Sequence, residues 1–153
     1  YFVAFAVSVI LLSSVVRIAG SSSGPIFYDR MMGGDRFAEL VAGLKASSSG
    51  QGILAIADYL YTSYTTQRTV LGTGISAMPS MHVALAFLNA LFLSSRSKIA
   101  GRIAWAYAGL IFFGSVYFGW HYALDGYVSM LCVLTIWKVS ARDGAEPSQD
   151  HKV

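Results

Sequence analysis

Two titratable residues stand four apart in the stretch Gly114-Ser-Val-Tyr-Phe-Gly-Trp-His121-Tyr-Ala-Leu-Asp125-Gly126, and no other Asp, Glu, Lys, Arg or His occurs between Ile103 and Trp137. An ionisable group in a segment apolar enough to enter a bilayer is costly, so such groups are usually paired and usually serve function. Burying the pair gains little stability over an apolar pair, which again favours function. At helical spacing residues i and i+4 share a face, so the Asp125 carboxylate is expected to hold one ring nitrogen of His121 and raise the basicity of the other. A second histidine, His82, follows Pro79-Ser80-Met81 and opens the almost purely apolar run Val83 to Leu93. Two imidazoles, one with a carboxylate partner, beside a helix N-terminus with free amides suit a phosphoryl group. One ring can attack phosphorus while the other protonates the departing oxygen, and neither role needs a metal or a cofactor. The rival reading is a non-enzymatic membrane protein that uses His82 and His121 as axial haem ligands, or with Asp125 as a proton relay.

For these residues to meet, the elements around them must place them at one end of a bundle. Hydrophobic residues make up 55 % of the 153-residue chain and charged residues 12 %, about half the roughly 25 % charge of an average soluble domain. That is a membrane-protein composition. The net charge of +3 does not indicate nucleic acid, because the basic residues are scattered and cluster only beside apolar runs, as membrane orientation requires. Cys132 stands alone among apolar neighbours, which leaves no disulfide framework and no thiol metal site.

Tyr1 to Val16 is a charge-free run that reads as a membrane helix, closed by Arg17 and the Ser21-Ser-Ser-Gly-Pro25 stretch. The chain opens inside this run with no initiator Met and no basic leader, so a longer parent with helices upstream is expected. From Arg17 to Thr73 four acids and five bases interleave with polar residues, and this segment is expected to face water or the membrane surface. Within it Phe37, Leu40, Val41 and Leu44, then Ile53, Ile56, Ala57, Leu60, Tyr61 and Tyr64, follow helical periodicity. Two amphipathic helices lying on the membrane are expected, the first capped by Asp35.

Pro79 and Ser80 form a helix-start signal, with Ser80 placed to cap the amides of the helix that carries His82. That helix ends in Ser94-Ser-Arg-Ser-Lys-Ile-Ala-Gly-Arg102, a turn with three bases and no acid, and the positive-inside rule makes the turn cytoplasmic. The run Ile103 to Phe118 returns to the outer face and Tyr122 to Trp137 descends again toward Lys138 and Arg142. His82, His121 and Asp125 are thereby expected on the non-cytoplasmic face of a multi-pass cell-membrane protein. Residues 1–140 are read as one membrane-embedded domain and 141–153 as a polar cytoplasmic tail.

Pro79-Ser80-Met81-His82 resembles the P-S-x-H motif of the phosphatidic acid phosphatase type 2 superfamily, and His121-Tyr-Ala-Leu-Asp125 resembles the H-x-x-x-D end of its second motif. The resemblance covers about Arg17 to Trp137 and implies an all-α six-helix membrane core, truncated at the N-terminus so that the last four helices are present, with the amphipathic helices in the outer loop. It implies that His121 is the nucleophile forming a phosphohistidine, Asp125 its orienting partner, His82 the general acid and Ser80 a phosphate ligand. Two departures stand out: Gly114-Ser115 replaces the family's Ser-Arg, and its K-x-x-x-x-x-x-R-P falls on Arg17 through Gly24-Pro25, leaving Arg17 as the phosphate-binding candidate with Gly24 in place of arginine. A guanidinium clamp is normally a large electrostatic contribution. Its loss makes the chain similar to the inositol phosphorylceramide synthase branch, which handles phosphodiesters of lower charge; Arg17, Arg30 or Arg68 could supply a substitute. The implied partner is a phospholipid or an isoprenoid or sphingolipid phosphate, with either hydrolysis or transfer to an alcohol.

Overall fold

The computed structural model describes residues 1–16, 22–66 and 78–143. Among the described residues the chain is all-helical, with seven α-helices and no strand. The first apolar run forms α1 (Phe2–Ile10), continued by a π-helical stretch over Leu11–Val16. Three helices follow in the polar segment: α2 (Pro25–Met32), α3 (Ala38–Lys45) and α4 (Ser48–Thr65). The remaining three are α5 (Met81–Arg96), α6 (Lys98–Tyr117) and α7 (Ala123–Asp143).

Small residues decide how α5 and α6 meet. Ala86 and Ala90 of α5 and Ala104 and Ala108 of α6 form one buried seam, and such short side chains let two backbones approach closely where lipid supplies no hydrophobic drive between helices. At the far end the turn is tight: a Cβ on Gly101 would lie 2.7 Å from Ser94 Oγ, and the Ser97 hydroxyl accepts the Ala100 N–H to start α6. A second core joins α1, α5 and α7 through Ala4, Leu12, Ala84, Leu88, Val133 and Ile136.

Two helices, Lys98–Tyr117 and Ala123–Ala141, are long and apolar enough to cross a membrane, and only 17 % and 22 % of them is buried. Leu110, Phe113, Leu124 and Leu131 point outward. Core helices of a soluble protein would hide these side chains; outward apolar faces on both helices suit lipid contact. The Phe2–Ser14 and Met81–Arg96 helices are apolar but shorter.

The polar segment holds one helix more than its periodicity predicts. Helix α2 occupies eight residues directly after Gly24, with Pro25 at its first position where a missing N–H costs nothing. The expected cap of α3 also differs. Phe37 is the N-cap residue, and its N–H is taken by the Asp29 carboxylate of α2 at 2.8 Å; Asp35 contributes only its carbonyl, to Ala38 N–H. Helix α4 starts on Ser47, whose hydroxyl accepts the Gly50 N–H. Ile26, Phe27, Leu44, Leu54 and Ala57 bury the inner faces of all three helices against Phe118 and Trp120. The three helices α2, α3 and α4 therefore pack on the turn that leads to His121.

Candidate active site

The turn between α6 and α7 is built by the end of α6. Gly119 takes a left-handed conformation with φ of 71°; its N–H donates to the Val116 carbonyl and the Trp120 N–H to the Ser115 carbonyl. This is the paired bonding of a Schellman motif, in which glycine avoids the steric cost of positive φ. The His121 N–H shares the same Ser115 carbonyl at 3.2 Å. Ser115 occupies the position where the resemblance expects arginine, and its backbone holds His121 in place.

His121 consequently lies outside any helix, two residues before α7 begins, which corrects the expectation of a shared helical face. Its Nδ1 faces Asp125 Oδ2 at 4.0 Å, an ion-pair separation longer than a hydrogen bond. The carboxylate instead accepts the Tyr122 N–H at 2.8 Å, while Asp125 N–H donates to the Tyr122 carbonyl. An acid three residues into a helix that reaches back to the N-cap amide is half of a capping box, favoured also by the helix dipole. Asp125 is 3 % exposed. Fixed by the cap and deprived of water, its charge is held toward the imidazole.

His82 sits in the first turn of α5 and is exposed, with no hydrogen bond or ion pair among the described residues. The start of α5 reaches the start of α7 all the same. A Cβ on Gly126, next to Asp125, would lie 2.5 Å from the Phe112 ring of α6 and at an ordinary contact distance of 3.7 Å from Val83 Cγ1, so the glycine makes room for Phe112, and Val83, next to His82, lies beside the residue next to Asp125. His82, His121 and Asp125 thus occupy one end of the bundle, opposite the end that carries Arg96, Lys98 and Arg102.

Ser80 is the N-cap residue of α5, yet its side chain caps no amide; its hydroxyl is completely buried and has no hydrogen-bond partner among the described residues. Arg17 and Arg68 lie outside the described residues, as do residues 144–153 of the tail with His151. Arg30 is engaged by Asp58 of α4.

Gly24, where the resemblance expects arginine, has no room for any side chain. An added Cβ would stand 2.1 Å from the Trp120 carbonyl oxygen, and the next amide but one, Ile26 N–H, donates to the Gly119 carbonyl at 2.9 Å. This glycine clips the start of α2 to the backbone beside His121, a role that neither its type nor its spacing discloses.

Sequence reasoning also missed the rim. Tyr28 meets Phe37 with ring centroids 5.5 Å apart, and Phe37 meets Tyr122 at 6.1 Å. Burial pushes the Tyr122 phenol above the usual tyrosine range; the nearby Tyr28, Asp125 and Asp29 push the same way, and Arg36 opposes them. Tyr122 is therefore a neutral hydroxyl at neutral pH.

A family model described as the PAP2 superfamily matches residues 1–139. The chain belongs to the PAP2 superfamily. Membership points to phosphatase-type activity on a lipid phosphate, and with the two apolar helices it points to a membrane protein. Searches among curated proteins and among solved structures gave no match.

Proposed function

We propose that the protein is a membrane enzyme that cleaves or transfers the phosphate-ester headgroup of a lipid through a phosphohistidine at His121. The observation that carries this reading is the approach of His121 Nδ1 to the buried Asp125 carboxylate at 4.0 Å, on a turn locked by Gly119.

The carboxylate favours a proton on Nδ1 and leaves Nε2, on the far side of the ring, as the nucleophile. In the first step Nε2 bonds to phosphorus, the bond from phosphorus to the leaving oxygen breaks, and His82 gives that oxygen its proton. In the second step water or an alcohol attacks phosphorus while its proton returns to His82. The phosphorus–nitrogen bond then breaks and frees His121. The buried Ser80 hydroxyl has no hydrogen-bond partner among the described residues, and a phosphoryl oxygen would meet it.

The last helices of the superfamily's core correspond in this reading to α1, α5, α6 and α7. The basic α5–α6 turn supports a cytoplasmic position for that end, which puts the histidines at the outer face. Gly24 and Ser115 in place of the expected arginines favour a phosphodiester of lower charge, as in the inositol phosphorylceramide synthase branch.

The reading is tested by turnover on lipid phosphates and phosphodiesters with His121→Ala and His82→Ala. Each substitution should lower the rate by at least about 10²-fold; an unchanged rate in either would reject the mechanism.

A further inference from the structure

We propose that Arg36, on the loop between α2 and α3, is the cation that meets the phosphoryl oxygens of the substrate. The inference rests on reading the His121 site as a phosphoryl site. It names a residue that neither motif contains.

A phosphoryl group brings at least one negative charge to a place that already holds the Asp125 carboxylate, so a compensating cation is needed nearby. Arg96, Lys98, Arg102 and Lys138 lie toward the opposite end of the bundle. Arg30 is committed to Asp58 and also packs over Tyr61 of α4. Arg36 differs from it in having no carboxylate partner among the described residues.

The loop is shaped to present this side chain. Gly33 and Gly34 both have positive φ, 77° and 108°, conformations that reverse the chain after α2 and suit glycine. The Asp29 carboxylate then takes the Phe37 N–H and fixes the loop's far end. Between these two fixed points the guanidinium lies 5.9 Å from the Tyr28 ring centre and 6.0 Å from that of Phe37. Phe37 in turn meets the ring of Tyr122, the residue next to His121. Cation–π contacts hold a guanidinium in a plane while its N–H groups stay available, and a planar fork is the geometry that phosphate oxygens accept. The opposing effect of Arg36 on the Tyr122 phenol is consistent with its charge reaching this side of the site.

The test is calorimetric binding of inorganic phosphate to the purified full-length chain, with Arg36→Gln, Arg36→Lys and Lys45→Gln, beside KM and kcat on a lipid phosphodiester. Arg36→Gln should weaken phosphate binding roughly ten- to hundredfold and raise KM more than it lowers kcat. Arg36→Lys should recover part of the loss, and Lys45→Gln, the same charge removed elsewhere on the outer helices, should stay within about twofold. Wild-type binding in Arg36→Gln, an equal loss in Lys45→Gln, or no measurable phosphate binding to the wild type would overturn the inference. A wild type that binds phosphate through Arg36 but never becomes labelled on His121 would instead refute the phosphohistidine reading and leave Arg36 standing.

Discussion

Gly24→Ala tests how the site is assembled, because its effect can be worked from one contact. The new Cβ would lie 2.1 Å from the Trp120 carbonyl oxygen and 2.8 Å from the carbonyl carbon. Both are backbone atoms, so no side chain can rotate away. To reach ordinary contact the start of α2 must retreat by about 1.3 Å or more, which breaks the 2.9 Å bond from Ile26 N–H to the Gly119 carbonyl. Losing that bond costs about 0.5–1.5 kcal/mol, and the overpacking adds about 1–3 kcal/mol. A melting point lowered on the order of 10 °C should follow. Activity should fall further than stability accounts for, by around 10²-fold, because a displacement of about 1 Å is passed to the His121 backbone. Gly109→Ala is the control: nothing lies within 4 Å of its added Cβ, and in mid-helix alanine should stabilise by roughly 0.5–1 kcal/mol. Thermal unfolding and turnover, both in the same detergent, decide the matter. Wild-type melting and wild-type turnover in Gly24→Ala would refute the clip between α2 and the His121 turn.

Asp125→Asn keeps an oxygen for the Tyr122 amide but loses the charge facing His121, so stability should drop by about 1 kcal/mol while turnover falls roughly 10²–10⁴-fold; comparable small losses in both would make Asp125 only a helix cap. Gly119→Ala should cost about 1–2 kcal/mol from its left-handed backbone alone, and more because the Cβ would lie 2.6 Å from Leu40 Cδ2; the added Leu40→Ala should relieve only the second part in chemical denaturation. Ser80→Ala removes a buried hydroxyl that has no partner among the described residues, so the melting point should hold or rise while KM increases. Because the Tyr122 phenol is raised in the folded protein, its contribution to stability is complete below the unfolded tyrosine pKa of about 10 and is lost as pH climbs through the higher folded value. Ultraviolet titration should show one late tyrosinate, absent in Tyr122→Phe and later still in Arg36→Gln.

The apolar runs of α5, α6 and α7 were legible, with Pro79-Ser80 marking the start of α5; the turn read over Ser94 to Arg102 was too long, since α5 runs to Arg96 and α6 begins at Lys98 with Ser97 as its N-cap, so the bases sit on the helix ends. The amphipathic faces of α3 and α4 were legible from their spacing. Helix α2 was not, since it is short, its apolar residues follow Gly24-Pro25, and those two residues read as punctuation when Gly24 in fact lies against the Trp120 backbone. The spacing of His121 and Asp125 suggested one helical face; the signal against it was Gly119, a glycine at the end of an apolar run that marks a left-handed helix stop. Ser80 shows the reverse case, a cap by type whose hydroxyl is turned away from the amides. Arg36 could not have been singled out, because its relation to His121 passes through ring contacts among Tyr28, Phe37 and Tyr122, residues that are 94 positions apart at the extremes.

The central claim is that phosphorus becomes bonded to His121, and rapid quenching after addition of a lipid labelled in its headgroup phosphate examines that bond itself. The wild type should yield an acid-labile, alkali-stable label on the peptide containing His121, absent in His121→Ala and longer-lived in His82→Ala. A wild type that turns over without any such label, or a label that survives in His121→Ala, would contradict the account.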